Sequence, residues 1–288
     1  MEIATISAPG RSERIRKTTR MAYSAPPETV TFDGLLFDMD GTIIDSTPAV
    51  VKHWHTIGNE IGVDPEVILQ TSHGRRSTFV SYPPSQVSVM GNNQGESNYQ
   101  DTDSRIVQID ILRLLAPEKA TVEYVRQMEA LMPQKYGNEA VEIPGARALL
   151  QQLITVNAPW AIVTSGTEPL VHGWLEVLKL PHPAHLVTAE SVENGKPDPT
   201  CYKLGWSRLG LAADANILVL EDSPAGIKAG KAAGCKVIGL VTSHTMEQVA
   251  AAEPDWIVED LRSVKMVAYG EDGRVTLQFS NALISKVQ

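Results

Sequence analysis

The chain is punctuated by short, wholly apolar runs bounded by turn residues, and these limit its fold more than any other feature. Gly34-Leu35-Leu36-Phe37, Trp160 to Val163, Ile217 to Leu220, Val237 to Val241 and Trp256 to Val258 are too short for helices. They are also too uniformly apolar for strands with one wet face. Such runs suit strands buried on both sides, the condition of a parallel sheet covered by helices. Helical patterns fill the intervals. Ala146 to Val156 carries Leu149, Leu150, Leu153 and Ile154 at helical spacing, while Glu168 to Lys179 and Ser223 to Gly234 hold Pro169 and Pro224 in their first turns. The alternation predicts an α/β fold with a Rossmann-like, doubly wound parallel sheet as its core. Near the end, Val264 to Ala268 and Val275 to Phe279 flank Gly270-Glu271-Asp272-Gly273, which predicts a β-hairpin.

At 288 residues the chain exceeds one domain of about 150. The excess falls after the first apolar run, where Pro48 to Gly137 is too long for a crossover and has helical patterns of its own. Pro48 to Ile61 reads as one helix, Pro65 opens a second behind Asp64 as N-cap, and Pro117 to Leu131 reads as a third. The organisation expected is a catalytic core of residues 31–47 and 140–288 with an inserted helical cap domain at 48–139. Residues 1–30 read as a disordered tail. Their basic start, Arg11 to Arg20, has no apolar stretch for a secretory signal, and Met21 offers an alternative chain start. Within the cap, Thr78 to Gln108 holds Tyr82-Pro83-Pro84 and Gly91-Asn92-Asn93-Gln94-Gly95 with no structural period, and reads as a disordered insert or a translated intron.

Composition narrows the function. A hydrophobic fraction of 43% and a charged fraction of 20% are those of a globular protein. No apolar run approaches the ~18 residues of a membrane helix. Cys201 and Cys235 are the only cysteines, which fits buried small hydrophobes in a reducing, cytoplasmic setting. The net charge of -9 argues against nucleic acid or anionic membrane as partner, so an anionic ligand must be held by local charges. Oligomeric state has no signal here.

The local charges stand at the ends of the apolar runs. Asp38 and Asp40 follow the first run and are two residues apart, so both can face one site before Gly41 turns the chain. Crowded carboxylates call for a cation or a shared proton, and Mg²⁺, a hard ion that takes few carboxylates and a substrate phosphate, suits them. Thr164-Ser165-Gly166-Thr167 follows the second run with hydroxyls suited to phosphate oxygens, and Glu221-Asp222 ends the third. Lys196, in Gly195-Lys196-Pro197-Asp198, offers a fixed positive charge. Each motif alone also builds ordinary turns, caps and wet surface. Their joint order at the expected crevice of an open parallel sheet distinguishes them.

That order resembles the haloacid dehalogenase-like hydrolase superfamily, in its sugar-phosphatase branch with a helical cap after the first strand. Over Phe32 to Leu261, Thr78 to Gln108 excepted, Asp38-Met39-Asp40-Gly41-Thr42, Thr164, Lys196 and Glu221-Asp222 match its four motifs. Ser72-His73-Gly74-Arg75-Arg76-Ser77 and Glu221 to Ile227 are similar to the fungal glycerol-3-phosphatase and 2-deoxyglucose-6-phosphate phosphatase group. The resemblance implies Asp38 as nucleophile, Asp40 as acid and then base, and phosphate held by Thr164, Ser165 and Lys196. It implies Mg²⁺ on Asp38, the Asp40 carbonyl and Asp222, with Glu221 assisting the metal or orienting Lys196. His73, Arg75 and Arg76 are the cap candidates for contact with a small phosphorylated polyol or sugar. Asp40 sets the chain apart from dehalogenating members, whose halide needs no proton. The alternative is a catalytically impaired relative that binds a partner through residues 78–108.

Overall fold

The computed structural model describes residues 26–72, 112–113 and 115–285, with the side chains of 70–72, 284 and 285 left aside. In chain order, β1 is Glu28–Phe32, β2 Gly34–Phe37 and β3 Ile44–Asp45; α1 (Thr47–Ile61), α2 (Pro65–Ser72) and α3 (Val122–Tyr136) follow. The chain then forms β4 (Val141–Glu142), α4 (Ala146–Thr155), β5 (Trp160–Val163), α5 (Glu168–Val177), β6 (Leu186–Val187) and α6 (Thr200–Arg208). It closes with β7 (Ile217–Glu221), α7 (Pro224–Ala232), β8 (Lys236–Leu240), α8 (Met246–Ala251), β9 (Trp256–Val258), β10 (Val264–Tyr269), β11 (Val275–Phe279) and β12 (Ile284–Ser285).

All five apolar runs are strands of one seven-stranded sheet in the order β12-β9-β8-β7-β2-β5-β6. β12 is antiparallel at one edge, and the other neighbours are parallel. Side chains alternate across the sheet as period two requires. Leu35, Phe37, Ile162, Leu218 and Leu220 enter the core on one face, with Leu149, Leu150 and Trp174 from α4 and α5. Leu36, Ala161, Val163 and Val219 enter the core on the other, with Tyr202 and Ile227 from α6 and α7. Two covered faces explain why the central strands have no polar alternation. Cys201 and Cys235 are both buried and not joined in a disulfide, and burial pushes the Cys235 thiol pKa up to about 12.

The inserted helices have a separate small core of Trp54, Ile57, Ile68, Leu112, Ala116 and Val125. α1 ends at Gly62, in the left-handed region at φ 71, where its N–H bonds the Gly58 carbonyl. α2 opens as read, the Asp64 carboxylate accepting from Glu66 N at 2.9 Å. The third helix differs from the sequence reading. Pro117–Lys119 is a separate 3₁₀ turn, and α3 starts at Val122 because the Thr121 hydroxyl accepts from Tyr124 N at 3.1 Å. It runs on through Pro133 to Tyr136, past the expected end at Leu131. β3 and β4 pair antiparallel, and Ile143 N bonds the Ile43 carbonyl at 2.9 Å, so the two ends of the insertion leave the core side by side.

The expected hairpin is present as β10 and β11, but β11 also pairs with β1. β1 begins at Glu28, inside the stretch read as tail, and Phe32 there packs with Trp256 and Phe279. The rest of that tail, residues 1–25, lies outside the described residues, as does the 78–108 stretch. No helix among the described residues is long and apolar enough to cross a membrane.

Candidate active site

Asp38, Thr164 and Glu221-Asp222 stand at the carboxyl ends of three adjacent strands, β2, β5 and β7. From β2 the order steps toward β5 and β6, and from β7 it steps the other way toward β8 and β9. The crevice at such a reversal is where open α/β sheets bind ligands. Asp38 N bonds the Leu220 carbonyl at 3.0 Å, which extends the ladder one residue past β2 and fixes the backbone of Asp38. Gly41 turns the chain away at φ +91, and a Cβ there would sit 2.2 Å from an Asp222 carboxylate oxygen. Both facts demand glycine. Thr42 donates to Asp222 Oδ1 at 3.3 Å, and the Thr242 hydroxyl donates to the Gly41 carbonyl.

Lys196 organises the site from below. Its Nζ donates to Asp38 Oδ1 at 2.6 Å, Glu221 Oε1 at 2.7 Å and the Val163 carbonyl at 3.2 Å. Glu221, with no solvent exposure, uses both oxygens. Oε1 also accepts from the Tyr202 hydroxyl at 2.9 Å, while Oε2 accepts from Asp222 N and Ser223 N, each at 2.9 Å, and from Ser223 Oγ at 3.0 Å. Of the two roles open to Glu221 from the sequence, this geometry favours orienting Lys196 over ligating a metal.

The charges do not balance. Burial raises the Asp38 carboxyl well above the usual range, and Glu221 and Asp222 push the same way against the pull of Lys196. Burial works against the Lys196 ammonium, but Asp38 and Glu221 outweigh it and hold its pKa well above the ordinary value. Burial also opposes the Glu221 charge, yet Lys196 and its hydrogen bonds bring that carboxyl below the usual range. Lys196 and Glu221 are therefore a charged pair, and Asp38, which shares that one ammonium with Glu221, ionises less readily than a free carboxyl. Asp38, Glu221 and Asp222 each place an oxygen within 4.8 Å of the others. Three carboxylates clustered around a single lysine fit a small hard cation, which takes oxygen ligands.

Asp40 accepts from Ser46 Oγ at 2.5 Å. Burial raises its pKa, opposed by that hydrogen bond and by Lys196, so its proton is held more tightly than usual. Across the site, Thr164 Oγ1 accepts from Gly166 N at 3.0 Å and so shapes the turn. Ser165 is half-buried within it, and a Cβ on Gly166 would lie 3.9 Å from Asp40 Oδ2. The core motifs thus meet. His73, Arg75 and Arg76 lie outside the described residues. Sequence reasoning missed Ser46, Tyr202 and His244, whose Nδ1 is 3.7 Å from Asp222 Oδ2. Ser46 stands just ahead of Thr47-Pro48, where a hydroxyl at the start of α1 draws no notice, and no local pattern marks Tyr202 or His244.

A strand-end carboxylate pair beside a buried lysine has the groups for nucleophilic and acid–base chemistry. Residues 32–234 match the model of the haloacid dehalogenase-like hydrolases, and the chain belongs to that family of enzymes. Glycerol-1-phosphate phosphohydrolase 1 of Saccharomyces cerevisiae is 32% identical over 92% of this chain and 98% of its own. 2-Deoxyglucose-6-phosphate phosphatase 1 of the same yeast is 32% identical over 87% of this chain and 96% of its own. A solved hydrolase from Pseudomonas syringae shares the fold at a TM-score of 0.60, with 22% identity over 80% of this chain and 94% of that one.

Proposed function

We propose that the chain is a magnesium-dependent phosphatase of small phosphorylated polyols or sugars, acting through an aspartyl-phosphate on Asp38. The observation that carries this is the pairing of Asp38 with Lys196 at 2.6 Å while Asp40 stands apart, held by Ser46. Two carboxyls at one crevice have different environments and so different tasks. The Asp38 oxygen that Lys196 does not hold attacks phosphorus, and the bond to the leaving alkoxide breaks. Asp40, its proton retained by burial, gives that proton to the alkoxide. Asp40 then takes a proton from water, whose oxygen attacks the same phosphorus and releases inorganic phosphate and Asp38. Thr164, Ser165 and Lys196 hold the transferring oxygens. Asp38 and Asp222, with the Asp40 carbonyl, would hold Mg²⁺, which supplies charge neutralisation for the phosphoryl group. Glu221 is a positioning residue for Lys196.

The relatives are named for glycerol phosphate and deoxyglucose phosphate, and both classes suit a site that handles the phosphate end in the core. The helical insertion serves as the cap, with His73, Arg75 and Arg76 reaching the polyol portion. The joint presence of Asp38, Asp40, Lys196 and Asp222 favours turnover over the impaired binding protein, which would need none of them. The test is phosphate release from glycerol phosphates, a deoxyhexose 6-phosphate and phosphoglycolate, with Mg²⁺ and with EDTA, against Asp38→Asn. Release is expected with Mg²⁺ and is lost with EDTA or Asp38→Asn. No release from any member of the panel overturns the reading.

A further inference from the structure

We infer that Glu129 is a positioning residue that couples the helical insertion to the turn at Thr164–Thr167. α3 runs through both packing units. Val125, one turn before Glu129, belongs to the insertion's core with Trp54 and Ile68, whereas Met132, a turn after it, belongs to the main core. At the changeover Glu129 is only 2% exposed. A carboxyl so buried stays there only with hydrogen-bond partners. One partner is Thr167 N, which donates to Glu129 Oε2 at 2.9 Å.

Thr167 is the N-cap of α5 and the last residue of the turn. Its neighbour Gly166 bonds Thr164 Oγ1 at 3.0 Å and lies beside Asp40, so the hydrogen bond from Glu129 reaches the catalytic groups through one short, stiff segment. Beyond Glu129 the helices α3 and α5 run together. A Cβ on Gly173 would lie 2.7 Å from the Pro133 ring, and one on Gly137 would lie 2.8 Å from Val177. Side chains larger than hydrogen at these points would force the helices apart. The second half of α3 is therefore part of the catalytic core's wall, and its first half is part of the insertion. A shift of the insertion tilts one continuous helix and is felt at the Glu129–Thr167 hydrogen bond before it reaches Thr164.

The inference rests on the phosphatase reading for what the turn holds. Glu129→Ala removes the acceptor. Thr167→Pro removes the donor at a residue whose φ of -71 already suits proline. Glu129→Gln keeps an oxygen that can accept. Measured on the full chain with Mg²⁺, Glu129→Ala and Thr167→Pro each weaken inorganic phosphate binding and lower kcat/KM by about tenfold, as expected for the loss of one buried hydrogen bond. Glu129→Gln stays within about threefold, and Glu129→Ala adds nothing further in a Thr164→Ala background. Two results overturn the proposal: a variant that melts earlier yet binds phosphate as the parent does, or equal losses with and without Thr164. If Glu129→Ala does not fold, Thr167→Pro and Glu129→Gln decide. Calorimetric binding of inorganic phosphate reads the coupling without turnover, so parent protein that binds phosphate but hydrolyses nothing sinks the phosphatase reading alone.

Discussion

The sheet core and the helical insertion are held together in different ways. The sheet buries apolar side chains on both faces and locks its strand ends with ladder hydrogen bonds, so groups placed there are fixed by many independent contacts. The insertion rests on a few large side chains, chiefly Trp54, Ile57 and Ile68, and its first helix carries a buried His53 whose Nε2 has no hydrogen-bond partner among the described residues. Catalysis needs carboxyls and an ammonium held where they would not settle unaided, and only the first kind of packing can bear that. The insertion, with fewer contacts behind it, is the easier place to vary shape.

Three experiments probe this contrast. Lys196→Met, in the sheet region, should lower turnover by about 10²–10³-fold, the cost of one preorganised donor in a dry site. It should also destabilise the fold by about 3–5 kcal/mol, because Asp38 and Glu221 are left buried without their cation. Phosphate release and chemical denaturation measure the two effects, and loss of activity with unchanged stability would contradict the buried network described above. Trp54→Ala, in the insertion, should cost about 3–5 kcal/mol through the cavity it leaves, with little effect on the sheet. Calorimetry should then show an early transition separate from that of the sheet. A single transition shifted as a whole would mean that the two cores melt as one.

The smallest effect is one of pH. Burial, with Lys135 nearby, lowers the His53 pKa from 6.5 to about 4. Its folded pKa lies below the unfolded value, so the unfolded chain binds the proton first as pH falls. The stability contribution is complete above pH 6.5 and is lost progressively toward pH 4, to a total of up to about 3 kcal/mol. His53→Phe should flatten the stability profile across that window, and a slope that persists in the variant assigns it to other groups.

Much of the fold was legible because its signals are local. The apolar runs that became β2, β5, β7 and β9 depend only on neighbouring residues and on burial from both sides. β1 was not legible, since Glu28-Thr29-Val30-Thr31-Phe32 gains its partners only from β11, far along the chain. The third helix was misjudged at both ends. Pro117 is a good first-turn residue, but Thr121 supplies the cap, and Pro133 is accommodated where Gly173 leaves room. Asp38, Asp40, Thr164, Lys196 and Asp222 could be named from motif order, whereas Glu129 lies in a helical pattern with nothing to mark it.

By itself, the sequence determined which segments must be buried strands and which charged residues must stand at their ends, since both follow from side-chain chemistry over a few positions. Tertiary structure alone decided how those residues divide the work. The strand order sets β7 beside β2, so Glu221 meets Lys196 and Tyr202 while Asp222 accepts from Thr42. A carboxyl has only two oxygens to commit, and which donors reach them is a matter of three-dimensional neighbours that no local pattern records.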